Sequence, residues 1–170
     1  STGCDSQTDS DITVDASSVF SHVLENLSDN GGRTETHALI INSPAIDGAH
    51  DDDCLSIDQR GLARPAGSGC GMGAFELESF SFQITITGTG SGRISSTVST
   101  LNCETDCSGE IYAGTVVTLT AVPEEGSRFV GWTGACTGTE ECVVTVAEIN
   151  NVGAIFEPAI DRIYLPAINR

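Results

Sequence analysis

From residue 80 onward the chain alternates β-branched or aromatic residues with polar ones in short runs closed by turn formers, a pattern few folds accommodate. In residues 81–87, Phe82, Ile84 and Ile86 alternate with Gln83, Thr85 and Thr87, the period of a strand with one buried face. Similar strands are predicted at 93–99, 115–122, 128–132, 142–146 and 152–156, each bounded by Gly, Pro, Asn or Asp. Short strands with tight turns describe a small antiparallel sheet or sandwich. Its expected core is Phe82, Ile84, Ile86, Ile94, Val117, Leu119, Phe129, Trp132, Val144, Val146 and Phe156.

Charge narrows the partners. Twenty-four acidic residues face seven basic ones, all arginine, for a net charge of −17. Phosphate binding rests on a basic footprint, so a nucleic-acid partner is not expected, and neither is an anionic membrane surface. No apolar run approaches the ~20 residues that span a bilayer, and the chain, which starts with serine, is read as a mature or processed form. Seven cysteines, at Cys4, Cys54, Cys70, Cys103, Cys107, Cys136 and Cys142, suit an oxidising, extracellular compartment. There is no Cys-x-x-Cys and no histidine at zinc-finger spacing, so disulfides are expected rather than zinc.

The remainder reads as less regular. Residues 1–14 are rich in Ser, Thr and Asp and form a polar arm that a neighbouring molecule would order. Residues 15–27 place Val19, Phe20, Val23, Leu24 and Leu27 on one helical face behind Asp15 as N-cap, which predicts a short helix. Residues 33–76 are punctuated by Asn42-Ser43-Pro44, Asp47-Gly48, Arg64-Pro65 and Gly67-Ser68-Gly69, and read as coils and turns.

Two stretches carry resemblances. Asp29-Asn-Gly-Gly-Arg, Thr36-His37-Ala-Leu, Ser43-Pro-Ala-Ile-Asp47, Asp58-Gln-Arg-Gly61, Arg64-Pro65 and Cys70-Gly-Met-Gly-Ala-Phe-Glu76 resemble, in order and spacing, the end of bacterial choice-of-anchor surface proteins with a right-handed parallel β-helix. The likeness covers roughly residues 23–77 and departs at Gly71, where that family usually has aspartate. It implies the last coil of a β-helix, in conflict with the helix predicted for 15–27. The second stretch resembles the divergent internalin-type B-repeat of exported bacterial proteins. It is carried by Gly88-x-Gly-x-Gly92, Cys103, Cys107, Tyr112-x-Gly114-Thr, Val117-Thr-Leu-Thr-Ala121, Pro123-x-x-Gly126, Phe129-x-Gly-Trp132-x-Gly134, Cys136, Cys142 and Ala154-x-Phe156. Such repeats are small β-grasp-like stalks, spacers or adhesion modules, and the resemblance implies no catalysis. Together the two resemblances imply bridges Cys54–Cys70, Cys103–Cys107 and Cys136–Cys142. Cys4 is then left for an intermolecular bond, a partner elsewhere, or a free thiol.

Candidate chemistry is sparse. Asp51, Asp52 and Asp53 form the densest carboxylate cluster, read first as a solvated acidic loop and second as a calcium site, since calcium takes six to eight oxygens. His22, His37 and His50 accompany no Gly-x-Ser-x-Gly elbow, and no catalytic residue is assigned. The series Gly88, Gly90, Gly92 leads into a strand rather than a helix, which makes it a hairpin and not a phosphate cradle. Trp132 is assigned to packing rather than sugar stacking. The tail is the most suggestive segment, where Ile163, Tyr164, Leu165 and Ile168 follow a finished domain and would serve as an added strand, a linker, or a strand donated to a neighbour.

The expected architecture is all-β and disulfide-stapled: an arm (1–22), a β-helix-end segment (23–79), a B-repeat-like antiparallel sandwich or β-grasp-like domain (80–157) and an apolar tail (158–170). The expected function is a non-enzymatic structural or adhesive module outside a bacterial cell, with no cofactor except calcium as an alternative. Its expected partners are copies of itself in a filament or sheath, and the alternative is a surface glycan or another protein.

Overall fold

The computed structural model describes residues 12–49 and 54–159. Cys4, His50, Asp51, Asp52, Asp53, Ile163, Tyr164, Leu165 and Ile168 lie outside the described residues. The chain is all-β and divides into two units, Ser1–Phe80 with Glu110–Thr115, and Ser81–Gly109 with Val116–Arg170.

In the first unit Asp15 caps as expected, its Oδ1 accepting the Ser17 N–H at 2.8 Å. The cap starts a 3-10 turn, Ala16–Ser18, and a single helical turn α1, Val19–His22. The helix predicted to Leu27 stops there. Leu24–Ser28 is instead strand β1, paired antiparallel with β2 (Thr36–Leu39) as Leu24↔Leu39, Leu27↔His37 and Ser28↔Thr36. An isolated helix this short is marginal in water, whereas the strand gains cross-strand bonds and still directs Val23 inward. Val23 and Leu39 are buried with Ala45, Phe75 and Leu77, while Phe20 and Leu27 of the predicted apolar stripe face solvent. Because β1 and β2 run antiparallel, no parallel ladder forms between them.

The second unit holds a sheet of order β5-β3-β9-β7 and another of order β4-β6-β8. The strands are β3 (Ser79–Gly88), β4 (Gly92–Ser96), β5 (Cys107–Tyr112), β6 (Val116–Pro123), β7 (Ser127–Gly134), β8 (Cys142–Thr145) and β9 (Asn150–Pro158). One pairing corrects the antiparallel expectation, since β9 lies beside β3 in parallel register from Phe82↔Asn150 to Gly88↔Phe156. On its other side β9 pairs antiparallel with β7. Strand β9 thus lies between β3 and β7. Strand β5 was not anticipated, because in Cys-Ser-Gly-Glu-Ile-Tyr only Ile111 is a buried apolar residue.

Phe82, Ile84, Ile94, Val117, Leu119, Val146 and Phe156 are buried as expected, joined by Leu101, Val152 and Ala154. Ile86, Phe129 and Val144 are only half-buried. The glycine series is a packing device, because a Cβ on Gly88 would fall 1.9 Å from the Phe156 carbonyl oxygen and one on Gly92 2.3 Å from its ring. Only glycine lets the chain pass so close.

Three cysteine pairs stand at disulfide distance: Cys54–Cys70, Cys103–Cys107 and Cys136–Cys142, with Cα–Cα separations of 5.9, 6.0 and 5.7 Å.

The two edges of the β4-β6-β8 sheet differ. The outer edge of β4 is covered, with Ile94 N–H bonding Cys103 O at 2.7 Å and Cys103 N–H returning to Ile94 O at 3.0 Å. Strand β8 pairs with β6 alone among the described residues. Both backbone groups of Thr118 bond to Thr97, so Val117 and Leu119 are the residues that bond β8, through Val144 and Cys142. The main chain of Val143 and Thr145 therefore points outward, and Val143 is 59% exposed.

Candidate functional site

The polar chemistry of the described residues concentrates in the first unit, around Asp58, Arg60, Arg64 and Glu76. Asp58 starts a tight turn in which its Oδ1 accepts the N–H groups of Arg60 at 2.8 Å and Leu62 at 3.1 Å. Its Oδ2 accepts Arg60 Nε at 2.8 Å and the Glu76 N–H at 3.1 Å. Gly61 sits at φ +88°, which lets the turn close. Burial pushes the Asp58 carboxyl up, but the Glu76 and Leu62 amides and Arg60 outweigh it and hold it below the usual carboxylate range.

Glu76 is only 1% exposed. Its carboxylate accepts Arg64 Nε at 2.8 Å, the Ala66 N–H at 3.1 Å and the Gly71 N–H at 2.9 Å. Arg64 also reaches the carbonyls of Gly71 and Gly73, and Arg60 lies 3.7 Å over the Phe75 ring while bonding the Glu76 carbonyl. No buried side-chain nitrogen or oxygen lacks a partner among the described residues. These carboxylates are saturated by donors, so they knit loops together rather than act as acid or base. The residues carrying the choice-of-anchor resemblance, Asp58, Arg60, Arg64 and Glu76, are therefore one network. At Gly71, where the resemblance departs, a Cβ would come within 3.2 Å of both Glu76 Oε2 and Leu39.

Beside this network lies a cavity of about 530 Å³ whose lining includes Pro65, Gly67, Ser68, Ser79, Glu110 and Tyr112. Tyr112 donates its hydroxyl to Asp47 Oδ2, and Ser68 Oγ donates to the same oxygen at 2.6 Å. Burial and the Asp47 carboxylate push the Tyr112 hydroxyl up to about 12. Burial raises the Asp47 carboxyl, yet the Ser68 and Tyr112 hydroxyls and the Gly69 and Ser68 amides more than offset it, leaving it low. Asp47 and Tyr112 each stood in a recognisable motif. Nothing local in the sequence joined positions 65 residues apart.

The other candidates are placed as follows. Trp132 is 4% exposed, donates Nε1–H to the Glu140 carbonyl at 2.6 Å and meets Phe129 edge-on at 4.9 Å, so it packs the core. His37 packs near Phe20 and bonds the Glu25 carbonyl through Nδ1, and His22 bonds Ser21. No group of three His, Cys, Asp or Glu arranged to hold a metal occurs among the described residues. The calcium alternative at Asp51, Asp52 and Asp53 falls outside them. Among the described residues no helix is long and apolar enough to cross a membrane.

No curated protein and no solved structure matches the chain. Residues 82–160 match the family model of the divergent InlB B-repeat domain, a kind of domain typical of bacterial surface proteins.

Proposed function

We propose that the chain is a non-enzymatic structural and adhesive module outside a bacterial cell that associates with copies of itself into a filament or sheath, residues 23–77 closing a β-helix-like end. One observation carries this reading, the edge of β8 that no other described strand covers, with Val143 exposed on it and Val116 56% exposed on the adjoining strand. Natural edges are normally blunted by lysine, proline or a covering segment, and the chain has no lysine to spend there. An open edge flanked by valines accepts an added strand, whose main chain supplies affinity and whose alternate side chains supply register. The apolar tail with Ile163, Tyr164, Leu165 and Ile168 is the donor in this reading, and Cys4 the intermolecular thiol. Leu55, 70% exposed, and Ile57, 54% exposed, give the first unit apolar surface for further contacts. Head-to-tail contacts extend into a filament where the rotation between copies does not close.

The test is negative-stain electron microscopy of the native chain beside Val143→Lys. Regular fibres from the native chain and dispersed particles from the variant are expected. Dispersed native particles across a range of concentrations would overturn the reading.

A further inference from the structure

The cavity beside Tyr112 offers acceptors and has spent its side-chain donors. Ser68 Oγ and Tyr112 Oη both give their protons to Asp47, and Ser79 Oγ gives its proton to the Ala66 carbonyl at 2.6 Å. The Ala66 and Ser68 amides are committed to Glu76 and Asp47, and Pro65 has no N–H. The side chains left along the described lining are the hydroxyl oxygens of Ser68, Ser79 and Tyr112, the Tyr112 ring and the Glu110 carboxylate. Among the described residues, none of the lining is basic.

Such a lining discriminates by hydrogen-bond polarity. An anion finds no side-chain donor there and meets the Glu110 carboxylate. A sugar hydroxyl needs to accept as well as donate, and would lose its water partners without replacement from these side chains. A guanidinium has donors in a planar fork, no acceptor to satisfy, and weak hydration, so it loses least on entering. Asp47, held ionised, adds a second negative charge directly behind Ser68 and Tyr112.

We infer that this cavity is a binding site for a guanidinium group, the arginine side chain of a polypeptide partner, seated between Glu110 and Tyr112. The inference stands on the first unit alone and does not rest on self-association. The partner is a second copy or a different protein, and the chemistry is the same for both.

The probe is N-acetylarginine amide, titrated against the full native chain while the Gly67 and Ser68 amide resonances are followed. Saturating shifts at those amides are expected, with Glu110→Gln weakening binding by about fivefold, the upper range of an exposed ion pair. Methyl glucoside and acetate, as neutral and anionic controls, are expected to leave the amides unmoved. The site is refuted if arginine amide moves neither resonance, if the glucoside moves them as strongly, or if Glu110→Gln binds as tightly as the native chain. Unchanged protection of the Ala66 and Gly71 amides, which are held by Glu76 in the first unit, shows that the variant is folded there. Dissociation of native oligomers by the amide would identify the partner as a second copy. Binding by a chain that is monomeric throughout would identify it as a different protein, and both outcomes sustain the site.

Discussion

The two units hold themselves together by different physics. In the second, strands supply the backbone hydrogen bonds and the interior is apolar, with Phe82, Phe156, Val117 and Leu119 fully buried. In the first, apart from the ends of β5 and β3, described strand pairing is confined to β1 and β2, and long turns must satisfy their amides and carbonyls some other way. Asp58 and Glu76 do this, each gathering backbone N–H groups and an arginine onto one carboxylate. The contrast teaches how each unit should fail. Removing an apolar side chain leaves a cavity, whereas removing a buried carboxylate strands its cation and several amides at once.

Glu76→Ala is the substitution that tests this most sharply. It leaves Arg64, whose side chain is 7% exposed, without its anion and costs the first unit about 3–5 kcal/mol. Hydrogen exchange should show Ala66 and Gly71 losing protection while Ile84 and Val152 keep theirs, and Trp132 emission should hold. Phe156→Ala is the mirror experiment, with a similar cost of about 3–5 kcal/mol placed in the other unit. Because Phe156 packs on Phe129 and Phe129 on Trp132, Trp132 emission should shift while the Ala66 and Gly71 amides stay protected. If each variant loosened both units equally, the distinction between them would not stand.

The same contrast explains what the sequence disclosed. Alternation located β3, β4, β6, β7, β8 and β9, because a strand with one buried face must repeat every second residue. It missed β5, where Ser108, Gly109 and Glu110 have no apolar alternate to show, and it could not see that β9 joins β3 in parallel, since pairing partners leave no local mark. The predicted helix failed at Leu24 because a long-range pairing with Leu39 outweighed a local stripe. In the first unit the motif residues were visible as Asp58, Arg60, Arg64 and Glu76, but their convergence on one network was not. The cavity was least legible of all, because Glu110 and Tyr112 stand in a stretch of sequence distant from Pro65 and Ser68.

Cross-linking sharpens the comparison next. In the chain-entropy account a bridge stabilises according to the loop it closes. Cys54–Cys70 closes a separation of 16 residues in the first unit, against 4 for Cys103–Cys107 and 6 for Cys136–Cys142 in the second. The first should contribute about 3 kcal/mol and each of the others about 2 kcal/mol. Cys54→Ala combined with Cys70→Ala is therefore expected to lower the first unit's denaturation midpoint more than Cys103→Ala with Cys107→Ala lowers the second's. Equal losses would mean that native packing around the bridges, rather than loop length, sets their worth.

The smallest effect, and the most local, is in pH. Asp47, Asp58 and Tyr112 all belong to the first unit, and their shifts have opposite senses. The two carboxyls are lowered on folding, so their contribution is complete above the usual value of 3.8 and is lost as pH falls through the folded value. The Tyr112 hydroxyl is raised from 10.0 to about 12, so the folded state holds that proton more tightly. Its contribution is complete below pH 10 and is lost as pH climbs from there towards 12, where a phenolate would face the Asp47 carboxylate. The first unit should thus loosen at both extremes. Phenolate absorbance reads the alkaline arm directly: a step near 12 is expected in the native chain and absent from Tyr112→Phe. Complete ionisation of both tyrosines near pH 10 would mean that the Tyr112–Asp47 bond does not form in solution, and the wall of the guanidinium cavity would go with it.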